Sequence, residues 1–172
     1  MDAVKDTPLD QGPKGHAQDG QGPNSYSDDA LRDAMELLFF AYRDFTSEPD
    51  AVLAQYNFGR AHHRVIYFVG RNPGITVNEL LAILRITKQS LNRVLRQLVQ
   101  EEFIEQNSDP ADRRLRRLRL TLAGEKLEAK LTKQQSHRIA EAYRAAGAPA
   151  INGFREILRG IINVEDRNRI SG

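Results

Sequence analysis

The residues that most restrict how this chain can fold are 107–122, Asn-Ser-Asp-Pro-Ala-Asp-Arg-Arg-Leu-Arg-Arg-Leu-Arg-Leu-Thr-Leu. Asp109-Pro110-Ala111-Asp112 favours a turn, because proline fixes its own backbone angle and aspartate bonds to nearby amides. Strand-like runs flank it, residues 103–106 going in and 117–120 coming out, so the segment reads as a hairpin. Side chains alternate along a strand, which puts Leu118 and Leu120 on one face and Arg117 and Arg119 on the other. Arg113, Arg114, Arg116, Arg117 and Arg119 repel one another unless water, salt or a polyanion screens them. The bland alternative is a solvated, charged strand that discourages edge-to-edge pairing.

Two short helices precede this hairpin. Pro73-Gly74 closes one element, and Thr76-Val77-Asn78-Glu79 opens the next with a threonine and a glutamate placed to satisfy each other's orphan amides. Ile75 and Leu80 stand at staple spacing, and Val77, Leu80, Leu81 and Leu84 repeat at the helical period. After a turn at Arg85 and Ile86 the same grammar recurs, with Thr87 as cap and Ile86 set to staple against Leu91. The second helix buries Leu91, Val94, Leu95 and Leu98, leaving Lys88, Gln89, Ser90, Asn92, Arg93 and Arg96 on its other faces. Arginine can pair bidentately with guanine, asparagine and glutamine with adenine, and serine and lysine can hold phosphates. The expected fold is α+β, mainly helical with a small β-hairpin: a winged helix-turn-helix flanked by terminal helices. An ordinary polar surface helix is the alternative for the second helix.

The stretch from Thr76 to Leu122 resembles the MarR/SlyA family of bacterial transcription regulators. The resemblance is carried by Glu79-Leu80-Leu81, Ile86-Thr87-Lys88-Gln89-Ser90-Leu91-Asn92-Arg93, Asp109-Pro110-Ala111-Asp112-Arg113-Arg114 and Leu120-Thr121-Leu122-Ala123-Gly124. It implies a homodimer with interlocked terminal helices, the second helix of each winged unit in a major groove and each wing in a minor groove. On that pattern Arg114 matches the minor-groove contact, oriented by Asp112, and Arg93 matches a recognition-helix arginine. Thr87, Lys88, Gln89, Ser90, Asn92, Arg93 and Arg96 would meet bases or phosphates, and Arg113 and Arg116 phosphates. The chain departs from the pattern at Glu101-Glu102-Phe103-Ile104, where the family usually has a glycine before the first wing strand.

Charge is distributed unevenly behind a net value of +2 in 172 residues. Residues 60–119 hold 12 Lys/Arg against 6 Asp/Glu, whereas residues 1–59 hold 4 against 11. Positive charge therefore gathers in the segment assigned to DNA, as expected of a binder. An acidic tail balancing a basic domain for solubility is the plainer reading. Residues 1–26, rich in Gly, Gln, Pro and Asp, have almost nothing apolar to bury and read as a disordered tail without a secretory signal. No stretch approaches the roughly 20 apolar residues that cross a bilayer, so the cytoplasm is the expected location.

The remaining chain divides into residues 27–70, N-terminal helices for dimerisation and an effector pocket; 71–121, the winged unit; and 122–172, C-terminal dimerisation helices. Ser27, Asp28 and Asp29 can cap and charge a helix start, after which Leu31, Met35, Leu38, Tyr42 and Phe45 run down one face. Residues 122–144 are mostly helical; Gly147 and Pro149 break the pattern, and Ile151, Phe154, Ile157, Leu158, Ile161 and Ile162 define a final apolar helix. Helices this apolar need a partner, and a twofold dimer matches paired half-sites; packing within one chain is the alternative.

Tyr42, Thr46, Arg60, His62, His63 and Tyr67 are polar or amphipathic groups near where the family's effector pocket lies. They could orient a small anionic or aromatic effector, or serve as satisfied core and surface groups. Adjacent histidines on a helix diverge, unlike the i, i+4 spacing that shares zinc, and His16 and His137 lack a carboxylate or cysteine companion, so no metal is expected. The absence of cysteine excludes disulfides, thiolate sites and the family's peroxide-sensing branch. No nucleophile elbow, phosphate loop or His-Glu-x-x-His is present, and Asp109 and Asp112 sit among arginines that keep both ionised. Neither an enzyme nor a cofactor is expected. The sequence points to a dimeric repressor on a palindromic operator, relieved by a small molecule. The alternative is a winged-helix module for protein assembly without sequence-specific DNA binding.

Overall fold

The computed structural model describes residues 26–109, 111–112 and 114–169. Their order is α1 (Asp28–Ala54), α2 (Arg60–Arg71), β1 (Ile75–Thr76), α3 (Val77–Leu84), α4 (Lys88–Gln100), β2 (Ile104–Ser108), β3 (Arg116–Leu120), α5 (Leu122–Ala146), α6 (Ala148–Ile161) and α7 (Val164–Arg167). Among the described residues, those up to Phe39 and those from Phe40 on form separate compact units. The expected tail, residues 1–26, lies outside the described residues except for Tyr26. No described helix is long and apolar enough to cross a membrane.

In the first unit, Ser27 Oγ accepts the Ala30 amide at 3.2 Å, and Asp28 and Asp29 follow in the first turn of α1. Leu31, Met35, Leu37, Leu38 and Phe39 are all exposed there.

In the second unit, the end of α1 contains a buried proline, Pro49. Proline has no N–H to give the carbonyl four residues earlier. That carbonyl, Phe45 O, instead accepts Gln135 Nε2 of α5 at 3.3 Å. The local vacancy in α1 thus becomes a tether between helices 90 residues apart.

The two expected helix starts form as the sequence spacing dictates. Thr76 N–H donates to Glu79 Oε2 at 2.8 Å and Glu79 N–H to Thr76 Oγ1 at 3.3 Å, a reciprocal box at the head of α3. Thr87 Oγ1 accepts Ser90 N–H at 3.1 Å and begins α4. Between them Arg85 holds a left-handed conformation, φ 48°, and its N–H closes α3 on Leu81 O at 2.9 Å.

The sheet has the order β1-β3-β2, antiparallel throughout. The hairpin was expected; β1, which pairs Ile75 with Leu118 and Thr76 with Arg117, was not. Two residues are too short a run to show periodicity, and β1 exists because β3 offers it an edge. The wing register pairs Ile104 with Leu120, Gln106 with Leu118 and Ser108 with Arg116.

One core joins these pieces. Leu91, Val94, Leu95 and Leu98 of α4 are buried with Val65, Ile66 and Val69 of α2, Leu80 of α3, Ile104 and Leu118 of the wing, and Leu127 and Leu131 of α5. Burial on this scale supplies most of the folding free energy, about 25 cal/mol per Å² of apolar surface. Helix α2 is thus packed into the same body as α3, α4 and the sheet. At its far end α5 stops at Gly147, φ 79°, as expected, and α6 leaves Phe154, Ile157 and Ile161 exposed. The short helix α7, unforeseen from sequence, carries Asp166, whose carboxylate meets Arg85 at 3.0 Å.

Candidate nucleic-acid interface

Every polar position assigned to the outer face of α4 is exposed. Lys88, Gln89, Ser90, Asn92, Arg93 and Arg96 line one open, concave surface of about 600 Å³. The spacing explains this: with Leu91, Val94, Leu95 and Leu98 fixed inward, these positions must turn outward. Thr87, also exposed, spends its hydroxyl on the cap, accepting the Ser90 amide and donating to Ser90 Oγ at 2.9 Å. Three cations, two carboxamides and one hydroxyl on one helix face match the donors and acceptors of base edges and phosphates.

The wing is organised by a residue that sequence reasoning passed over as a site. Asp109 is buried, and its Oδ1 accepts the amides of Ala111 at 2.7 Å and Asp112 at 3.1 Å. Its other oxygen pairs with Arg117 Nε, while Arg117 Nη1 donates to Gly74 O at 3.0 Å. The Arg117 guanidinium beside it, followed by the two amides, holds the Asp109 carboxyl below the ordinary carboxylate range. The Asp-Pro-x-Asp pattern signals a turn that bonds its own amides. Nothing in it says that Arg117, eight residues later, is the partner.

Arg117 is accordingly a strut between the wing and the entry to β1. Arg114, Arg116 and Arg119 are exposed; Arg116 Nη1 donates to Ser108 Oγ across the hairpin. Asp112 Oδ1 accepts the Arg114 amide at 2.9 Å and so shapes the backbone that carries Arg114. Arg113 lies outside the described residues. Before the first wing strand, within the segment 101–104 that lacks a glycine, Glu102 adopts φ 58°, and its carbonyl accepts the Thr121 hydroxyl. The left-handed turn is kept without the residue that makes it easy.

A second concavity, about 460 Å³, lies among α1, α2 and α5 and brings together Tyr42, Thr46, Arg60, His63 and Tyr67. Arg64, Thr132, Gln135 and Ser136, which were not singled out from sequence, line it as well. Arg60 is committed to Asp50 at 2.8 Å and lies 5.7 Å over the Tyr42 ring. The Thr46 hydroxyl donates within its own helix to Tyr42 O at 3.0 Å. Burial pulls the His63 imidazole below its ordinary value, against the opposing fields of Asp50 and Glu128.

His62 does not share this space. It turns the other way on α2, stacks on Phe58 and bonds Gln97 of α4, because neighbouring helical residues diverge by about 100°. A second correction concerns His137, which does have a carboxylate companion, Glu141, one turn on at 3.6 Å. A single such pair is not a metal site, and no cluster of three ligating side chains occurs among the described residues.

A helix-turn-helix backed by a three-stranded wing defines the class: this is a winged-helix protein. A family model described as MarR family matches residues 56–115. The HTH-type transcriptional regulator PetP of Rhodobacter capsulatus is 47% identical over 137 residues, 80% of this chain and 82% of that protein. The chain belongs to the MarR family of helix-turn-helix transcriptional regulators. Solved structures share the fold. FabT of Streptococcus pneumoniae in complex with DNA aligns with a TM-score of 0.69 at 16% identity, covering 76% of this chain and 94% of that one. The transcriptional regulator SlyA aligns with a TM-score of 0.64 at 19% identity, covering 83% and 99%.

Proposed function

We propose that this chain is a homodimeric repressor that binds a palindromic operator in the cytoplasm and releases it when a small anionic or aromatic effector occupies the cavity beside α2. Helix α4 reads the major groove through Lys88, Gln89, Asn92 and Arg93, with Ser90 and Arg96 on phosphates. The wing places Arg114 in the minor groove, with Arg113 and Arg116 on phosphates. Residues 71–121 are the reading unit, and residues 27–70 and 122–172 carry dimerisation.

The observation that carries this reading is the exposed face of α4, six polar or basic side chains held outward by four buried aliphatic ones. The buttressed wing supports it, since Asp109 and Asp112 fix the backbone that bears Arg114. FabT, similar in fold, was solved with DNA. Dimerisation is supported by the large apolar side chains exposed on the first turns of α1 and, separately, on α6. Two half-sites one DNA turn apart, about 34 Å, then require a fixed separation of the two recognition helices. A ligand wedged against α2 changes that separation.

The test is binding of purified protein to a genomic fragment library at about 150 mM salt, the ionic strength of the cell, followed by sequencing of bound DNA. A palindromic motif supports the reading. Motif-free binding, weakening uniformly with salt, overturns it in favour of protein assembly.

A further inference from the structure

His62 and Gln97 sit 35 residues apart and meet at 2.9 Å between Nε2 and Oε1. The hydrogen-bond pattern fixes every atom's role from both ends. At one end Gly59 N–H donates to His62 Nδ1 at 3.1 Å, so Nδ1 is an acceptor and the ring proton is on Nε2. At the other, Gln97 Nε2 donates to Glu101 Oε1 at 3.0 Å, so the amide oxygen is what faces His62. The imidazole is clamped against Phe58, ring centroids 4.7 Å apart and planes 6° from parallel. The result is a directed chain, Gly59 to His62 to Gln97, running from the start of α2 into the last turn of α4.

Helix α4 is otherwise held by Leu91, Val94, Leu95 and Leu98. Apolar contacts are non-directional and tolerate a helix that rolls or slides by a fraction of an ångström. Base readout does not, because a site must be held within about 0.5 Å and 10–20° of its working geometry. Gln97 lies one residue beyond Arg96 and four beyond Arg93, so any roll of α4 about its axis swings those arginines with it.

We infer that His62 is a positioning residue for sequence recognition: its bond to Gln97 sets the roll of α4 and with it the aim of Arg93. This rests on the DNA-binding reading given above. His62 touches no base, and its removal degrades discrimination rather than general attraction for DNA, which depends on charge.

The experiment compares His62→Phe, which keeps the stack on Phe58 and loses both hydrogen bonds, Gln97→Met, the double variant, and His62→Gln, which retains an N–H donor. Each is measured on the selected motif and on a scrambled duplex at equal salt, with thermal melting alongside. In each phenylalanine or methionine single variant the ratio of motif to scrambled affinity falls about three- to tenfold, as loss of the His62–Gln97 hydrogen bond that both remove implies. The double variant falls no further, since both singles remove one link, and His62→Gln recovers part of the loss. Scrambled binding stays within about twofold. Gln97→Met, partly exposed, keeps the test valid if His62→Phe does not fold. Undiminished discrimination in a folded variant, multiplying losses in the double, or parallel loss on scrambled DNA overturns the proposal. Wild type that does not discriminate at all overturns the regulator reading, and this proposal with it.

Discussion

A side-chain carbon at Gly124 would lie 2.1 Å from the carbonyl oxygen of Phe103. That oxygen is itself fixed, accepting the Thr121 amide at 3.1 Å, and Gly124 N–H donates to Thr121 Oγ1 at 3.1 Å to cap α5. Helix α5 therefore starts in contact with the backbone just before β2, and only glycine allows it. Gly124→Ala should lower unfolding stability by about 1–3 kcal/mol, the range for forced overpacking, read as a lower urea midpoint.

Glu102 gives the opposite expectation. Its left-handed backbone, φ 58°, costs a side-chain-bearing residue about 1–2 kcal/mol. Glu102→Gly removes that strain while leaving the carbonyl that accepts the Thr121 hydroxyl. Part of the gain is offset by the unfolded chain's extra freedom, and the midpoint should rise by about 1 kcal/mol equivalent at unchanged denaturant slope.

Asp109→Asn tests the wing's organiser. The carboxylate, held low by Arg117 and two amides, stabilises the wing fully above the ordinary aspartate value of about 3.9 and loses that effect as pH falls through its lower folded value. At neutral pH the wild-type wing is therefore insensitive to pH. The asparagine variant should show faster amide exchange at Ala111 and Asp112 and weaker binding to all DNA, although Asp109 itself is buried. Unchanged exchange would refute this account of the turn.

Arg114→Ala and Arg93→Ala should fail differently. The first weakens binding to every sequence, most where the minor groove is narrow, and reduces the salt slope by about 0.9. The second blurs one base step at about 1–3 kcal/mol of lost discrimination. Equal affinity of both variants and wild type for the operator at matched salt would show the assignment of these side chains to be wrong.

His63 makes stability pH-dependent in mild acid. Burial first, and Arg64 with it, depresses the folded pKa, while Asp50 and Glu128 oppose. Between the folded value and about 6.5 the unfolded chain binds the proton that the folded chain refuses, so stability rises with pH through that window. Melting temperature should fall as pH drops below about 6.5, and His63→Gln should flatten this portion of the curve.

Local structure follows from residues close to one another in the chain. Thr76 with Glu79, Thr87 with Ser90 and Ser27 with Ala30 stand three residues apart, where one helical turn brings a side chain onto an amide. The Leu91, Val94, Leu95, Leu98 stripe fixed which face of α4 stays outside, because the helical period leaves no alternative. Asp109-Pro110-Ala111-Asp112 announced the turn through side chains that bond their own backbone. The missing glycine across residues 101–104 was visible too, although only the backbone shows that Glu102 is the residue that turns left-handed.

Long-range packing settled which side chains hold the frame. Arg117 looks like its neighbours in sequence, yet it spans 43 residues to Gly74 and pairs with Asp109. His62 and His63 were both candidates for the effector pocket, yet only His63 lines that cavity while His62 bonds to α4. Strand β1, the tether from Gln135 to Phe45 and the close approach at Gly124 likewise depend on partners far along the chain. Helical periods and caps are set by covalent neighbours within a turn or two. Pairings across 35 to 90 residues exist only once the core has brought the elements together, and no local spacing encodes them.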